Sequence, residues 1–448
     1  MVFELERLVE LCDGVAVISL IAYFLTRSRY AGVFLSKSFS PFSVLFMALI
    51  GGFFYAYGIL TGVEIGPYFI SIQILGPVIA GLIAGIPGGF LAGCLGLLIQ
   101  VAIGHPVEPS GCLVTLLCGV IGGVFRLLNK NELIRIPHVC ILGFIIGFLQ
   151  FGIGDNGIRA DILDPGEMIE GILDIFLPTI AGLVIFVFIV NNLRIEAENT
   201  RKSYQIEGEL QAARQIQLGS LPQKTHEQNT LKLSASLIPA SYVGGDLYDY
   251  LELDDNSLYF ALGDVSGKGV PAALLMSSTR MLLRSKIRET RDPCALVSEV
   301  NRSFLEDGDC KQFITLIVGI IRPNGVVTYC NAGHPAPFHI SQSGAGAYQE
   351  ESDGNLPAGV LEEEKFLCHM ISLNPGDILM VVSDGVTEAE HGEEFFGVKR
   401  TIEVLNQNTF KGPDEIVSLL NTEVKAWTGD QPMSDDCTIL AIGYYPKK

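Results

Sequence analysis

The chain has 448 residues, 49% of them hydrophobic, and a net charge of −19. That length exceeds what one hydrophobic core usually serves. The acid excess argues against nucleic-acid binding, because affinity for phosphate backbones comes mostly from Lys and Arg. Residues 1–193 carry 8 Lys and Arg against 13 Asp and Glu among long apolar runs, and the rest carry 22 against 36. The division predicts a membrane half followed by a soluble, acidic half suited to metal ions or basic partner surfaces. Ten cysteines are scattered without a CxxC pair and are expected as small reduced core residues.

The first residues, MVFELERLVELCDG, are acidic where a cleavable signal would be basic, so the apolar run at 14–25 is expected to stay as a membrane helix. Further spans are predicted at 42–60, 112–128, 139–153 and 172–190, each near the roughly 20 residues a bilayer demands. The long apolar region 70–103 is interrupted by Gly85, Ile86, Pro87, Gly88 and Gly89, which a helix does not cross without a kink or a reversal. With the acidic half in the cytoplasm, Arg194, Arg201 and Lys202 lie inside, as do Arg126, Lys130 and Arg135. Arg27, Arg29 and Lys37 join them only if 70–103 starts and ends on one face, as two short spans or a re-entrant pair. That gives seven crossings or five.

Glycines four residues apart, at Gly81, Gly85, Gly89 and Gly93 and at Gly143 and Gly147, let helix backbones touch and predict a compact bundle. IQILGPVIAGLIAGIPGGFLAG followed by LCGVIGGVFRL resembles the membrane region of the LytS-type five-helix receptors over about 15–190. The resemblance implies a sensor with an unidentified ligand. His105 and Glu108 are candidates to touch it or simply face water, and Asp155, Asp161 and Asp164 could hold a cation or form a solvated loop.

Residues 194–228 are expected as a linker. Its first part is charged and free of proline, and Ile206, Leu210, Ala213 and Ile216 begin a heptad-like apolar stripe. A short coiled coil that pairs two copies of the chain and a helix packed on its own soluble domain both fit this stripe. Beyond it, 231–237 alternates as a strand, 313–321 and 326–330 flank a turn as a hairpin, and 378–383 and 438–445 are further strands. Helices fit 271–288, 293–305 and 413–427, the last opening on Pro413. Strands mixed with helices and hairpins predict an α+β domain at 229–448, with two packed antiparallel sheets flanked by helices, behind an all-α transmembrane bundle at 1–193.

Four aspartates stand at strand ends or turns: Asp246 in VGGDLYDY, Asp264 in ALGDVSGKG, Asp384 after ILMVVS and Asp435 in SDDCTIL. With no His or Cys placed equivalently, they form the all-oxygen donor set that Mg²⁺ or Mn²⁺ prefers. GGDLYDY, ALGDVSGKGVPAALLMS, YCNAGHPAP, LNPGDILMVVSDGVTEA, EFFG and SDDCTIL also occur in the order found in the SpoIIE-like and RsbU-like metal-dependent protein serine/threonine phosphatases, which about 231–445 resembles.

The resemblance implies two Mn²⁺ or Mg²⁺ ions. Asp264 would bridge them, Asp384 and Asp435 would bind the first, and Asp246 and the Val265 carbonyl would bind the second. Asp249, Asp436 and His334 are candidates for a supporting shell. The implied substrate is a phosphorylated anti-anti-sigma-type regulator, and QAARQIQLGSLPQ resembles the helix leading into that family's catalytic domain. The alternative is a membrane receptor or transporter-like binding protein whose phosphatase-like domain only docks partners. Two shorter likenesses fail. Leu247 stands where a GGDEF signature needs an acid, and GDVSGKG has three residues between Gly263 and Gly267 where a P-loop needs four.

Overall fold

The computed structural model describes residues 40–65, 68–129, 135–153, 165–306, 312–341, 346–349 and 355–446. The expected span at 14–25, the cations Arg27, Arg29, Lys37 and Lys130, and the acidic stretch 155–164 lie outside them. The chain divides into two compact units, Met1–Ser203 and Tyr204–Lys448.

In the first unit, helix α1 (Pro41–Thr61) opens on a Ser40/Ser43 capping box with Pro41 in the first turn. A hairpin of β1 (Val63–Ile65) and β2 (Tyr68–Ile70) leads to α2 (Leu75–Ala102), α3 (Pro109–Leu128), α4 (Ile136–Ile153) and α5 (Pro165–Ser220), whose residues from Tyr204 onward belong to the second unit. Among the described residues, five helices are long and apolar enough to cross a membrane. One of them, α2, turns back on itself. Gly85 adopts φ 73°, and a Cβ placed on Gly89 would lie 2.9 Å from the Gly81 Cα. In a continuous helix eight residues rise about 12 Å, so residues before and after Gly85 run side by side as a hairpin. Both expectations for 70–103, two short spans or a re-entrant pair, require such a reversal.

The glycine stripe is what lets the hairpin pack. A Cβ on Gly81 or Gly89 would come within 2.3 or 2.1 Å of the Gly119 carbonyl oxygen, and one on Gly123 within 2.3 Å of the Ile86 nitrogen. Backbone meets backbone between α2 and α3, where any side chain would force them apart. Arg126 is buried in this bundle and donates to the Leu82 carbonyl. His105 and Glu108 sit in the loop before α3, and Glu108 takes the cap position without a side-chain bond.

The second unit is a two-sheet sandwich. The six-stranded sheet runs β10 (Gly346–Gln349), β9 (Phe338–Ser341), β12 (Ile378–Val382), β15 (Cys437–Tyr444), β4 (Leu231–Ile238), β3 (Thr225–Gln228). The five-stranded sheet runs β11 (Cys368–Ser372), β8 (Val326–Ala332), β7 (Ile314–Ile321), β6 (Leu258–Val265), β5 (Asp246–Glu252), and every pairing in both sheets is antiparallel. Alternation assigns the faces. Leu258, Phe260 and Leu262 of β6 meet Leu440 and Ile442 of β15 between the sheets, while Tyr259, Ala261 and Val265 face helices α6 (Val270–Lys286) and α7 (Pro293–Glu306). On the other outer face, after the short α8 (Asp384–Thr387) and the β13 (Glu390–His391) and β14 (Glu394–Phe395) hairpin, α9 (Gly397–Asn406) and α10 (Pro413–Thr428) cover the six-stranded sheet.

The cysteine expectation needs a correction. Cys294 at the start of α7 and Cys368 on edge strand β11 are joined as a disulfide, with Cα atoms 5.9 Å apart. Among the described residues the other cysteines are free.

Candidate active site

The aspartates converge at one end of the space between the sheets because each strand delivers its carboxylate in register. Asp246 and Asp264 are direct partners on β5 and β6. Both lie on the parity of Tyr248, Tyr250, Phe260 and Leu262, which face the opposite sheet. From that sheet, β12 runs into Ser383 and Asp384, the first residue of α8, and Asp435 and Asp436 precede β15. The Thr438 hydroxyl donates across the gap to Asp246 Oδ2, which joins the two sheets at the site.

So many carboxylates in one pocket repel one another. Burial and the neighbouring charges of Asp384, Asp435 and Asp436 push Asp264 up to about 7. Asp246 is raised well above the usual carboxylate range by burial and then by Asp264 and Asp436, against hydrogen bonds from Thr438 and Ser383. Asp384 is raised by burial and by Asp435. The site therefore holds an excess of negative charge that a cation would relieve. Gly245 keeps an opening there. A Cβ on it would lie 2.6 Å from the Val265 carbonyl oxygen and 2.9 Å from Asp264 Oδ1. Carboxylates of Asp246, Asp264, Asp384 and Asp435, with the Val265 carbonyl beside the glycine, fit hard divalent cations by donor chemistry.

The supporting candidates separate. Asp436 is buried and accepts from the backbone N–H of Ala240 (2.9 Å) and Asp246 (3.4 Å), so it holds the loop that carries Asp246. His334 is buried with Nδ1 2.9 Å from the Thr315 hydroxyl, and Thr315 is the strand partner of Asp264. Burial lowers its pKa to about 3, so it stays a neutral spacer behind the site. Asn331 clamps the His334 backbone in both directions.

Asp249 does not join the cluster. Three residues beyond Asp246 on β5, it faces the helix side, where Arg284 of α6 grips it with bonds of 2.6 and 2.7 Å and Arg280 lies 3.6 Å away.

The stripe on α5 also divides. Leu210 and Ala213 are half-buried, while Ile206 and Ile216 are exposed. The polar contacts of this helix come from Glu207, Arg214 and Gln217. Gln217 Nε2 donates to the Gly244 carbonyl (2.7 Å), and Gly244 N–H donates back to Gln217 Oε1 (3.2 Å). Glu207 accepts from the Tyr242 hydroxyl and Arg214 donates to the Ser241 carbonyl. Sequence reading, drawn to apolar periodicity, passed over Gln217, Thr438 and Ser383.

Two family models match. Residues 254–445 match stage II sporulation protein E (SpoIIE), and residues 29–192 match the 5TMR of 5TMR-LYT. The second half of the chain is thus similar to a SpoIIE-type phosphatase domain, and the first half to a five-helix membrane region of the 5TMR-LYT type. Protein IcfG of Synechocystis is 31% identical over 57% of this chain and 45% of its own length. The phosphoserine phosphatase RsbU of Bacillus subtilis is 28% identical over 53% of this chain and 70% of its own. The chain therefore spans less than half of the first relative and about two thirds of the second. Among solved structures, the SiaA-PP2C domain of Pseudomonas aeruginosa aligns with a TM-score of 0.48 at 20% identity, covering 54% of this chain and 98% of that domain.

Proposed function

We propose that this is a membrane-anchored protein serine/threonine phosphatase, with its catalytic domain at 229–448 in the cytoplasm. Its substrate is a phosphorylated regulatory protein of the anti-anti-sigma type. The observation that carries this reading is the convergence of Asp246, Asp264, Asp384 and Asp435 from two sheets on one pocket, with Asp264 raised to about 7 by burial and then by the charges of Asp384, Asp435 and Asp436.

Asp264 and Asp246, with the Val265 carbonyl, and Asp384 with Asp435 are the groups that would hold two Mg²⁺ or Mn²⁺ ions. When bound, these supply activated water and neutralise the phosphoryl oxygens. The chain's own part is positional. Asp436 and Thr438 hold Asp246, and the His334–Thr315 pair backs Asp264. Hydrolysis breaks the ester P–O bond. Water's oxygen ends on phosphorus, and one of its protons ends on the serine or threonine oxygen.

Control comes through the linker. Gln217 grips Gly244 two residues before Asp246, so a rotation of α5 that breaks this grip would move Asp246 out of place. The membrane region, with its unidentified ligand, is the source of that rotation, and exposed Ile206 and Ile216 are available to pair two copies of the chain.

The test is hydrolysis of p-nitrophenyl phosphate and of a phosphoserine protein by the full chain in detergent, with Mn²⁺, with Mg²⁺ and with chelator. Metal-dependent turnover that disappears in Asp264→Asn supports the enzyme. Metal binding without turnover on either substrate returns the docking-module alternative.

A further inference from the structure

We infer that Lys268 is the cation that receives the substrate's phosphoryl group, a role that rests on the phosphatase reading above. Lys268 stands between Gly267 and Gly269, at φ 92° and 78°, a left-handed pair that only glycine adopts without strain. The turn is pinned beneath it. Ser266 N–H donates to the Phe313 carbonyl, Phe313 N–H donates to the Ser266 hydroxyl, and Gln312 donates to the Ser266 carbonyl. The side chain thus leaves a rigid loop that begins at Asp264 and Val265, and its ammonium lies 3.2 Å from Asp435 Oδ2 while donating to the Ser434 carbonyl.

That placement is at the mouth of the aspartate pocket, where a phosphate monoester must arrive. The Lys268 side chain is 67% exposed, and an exposed ion pair contributes at most about 1 kcal/mol, so stability does not explain the fixed turn. An ammonium held so weakly can exchange its carboxylate partner for a phosphoryl oxygen. Four arginines among the described residues of this unit are committed elsewhere. Arg280 and Arg284 serve Asp249 on the far face of the sheet, Arg291 pairs with Asp254 and Asp255, and Arg400 lies 3.4 Å over the Trp427 ring. The GDVSGKG stretch, which is no P-loop, thereby acquires a phosphate-binding role of a different geometry.

The experiment compares wild type, Lys268→Met and Lys268→Arg as full chains in detergent. It measures Mn²⁺-dependent hydrolysis of p-nitrophenyl phosphate, competitive inhibition by inorganic phosphate, and Mn²⁺ affinity by electron paramagnetic resonance. Removing a charge-assisted bond predicts a loss of about 10- to 100-fold in kcat/KM and a comparable weakening of phosphate inhibition in Lys268→Met. Lys268→Arg should recover most of both, with Mn²⁺ affinity little changed in all three. Unchanged phosphate inhibition in Lys268→Met overturns the inference, and so does a loss confined to Mn²⁺ affinity, which would make Lys268 a prop for Asp435. Should wild type hydrolyse nothing, the phosphatase reading fails separately. Broadening of the inorganic phosphate ³¹P resonance by the Mn²⁺-loaded protein then decides on Lys268: weaker broadening in Lys268→Met sustains it, and equal or absent broadening overturns it.

Discussion

Strand β5 carries two buried aspartates three residues apart, and the chain treats them in opposite ways. Asp249, fully buried on the helix face, is neutralised within the protein by Arg284 and Arg280. Asp246, on the sheet-facing side, receives Thr438 and backbone support but is surrounded by Asp264 and Asp436, whose charges raise it further. A carboxylate paired inside the chain serves the fold. One crowded by other carboxylates costs stability until a cation arrives, and so marks a site.

The largest expected effect breaks the functional side of this comparison. Asp264→Asn should lower metal-dependent hydrolysis by roughly a thousandfold or more. It should leave the fold intact, because it removes a like charge, and melting followed by the fluorescence of Trp427, the sole tryptophan, would confirm that. Asp249→Ala should do the reverse. Stripping a buried partner from Arg284 and Arg280 should destabilise the domain by about 3 kcal/mol, read from the same fluorescence in denaturant. A variant that melts normally but loses turnover would move Asp249 back into the site.

The pH response sharpens the contrast. Asp264 is raised from 3.8 to about 7, so the folded, metal-free protein keeps a proton that the unfolded chain has already released. The stabilisation is complete below about pH 4 and is lost as pH rises through about 7. Chelated protein should therefore melt at progressively lower temperature across that window, and added Mn²⁺ should remove the decline.

A smaller effect is expected at the linker. Gln217→Ala gives up two bonds to Gly244 and should reduce kcat several-fold, by about 1 kcal/mol of positioning, with little change in melting. The smallest belongs to Ile216, 75% exposed: Ile216→Ser should shift stability by less than about 0.5 kcal/mol. A marked change in its sedimentation behaviour would show that the exposed stripe pairs two chains.

Much of this was legible because it is local. Period-two alternation marked the strands at 231–237 and 438–445, glycine spacing marked the close-packed helices, and four aspartates in strand-end turns marked the pocket. Even the parity that sends Asp249 away from Asp246 is written in their odd spacing, since successive strand residues face opposite sides. What alternation cannot state is which partner waits on each face. Arg284 lies 35 positions from Asp249, Gln217 lies 27 from Gly244, and Cys368 lies 74 from Cys294. The GIPGG break likewise announced an interruption, but the contact of Gly89 with Gly81 made it a hairpin. By itself the sequence determined the segments, their faces and the acidic residues at the strand ends, because these depend on neighbours along the chain. The tertiary structure alone decided which carboxylates are neutralised and which stay crowded, because buried charge is settled by groups that only folding brings together.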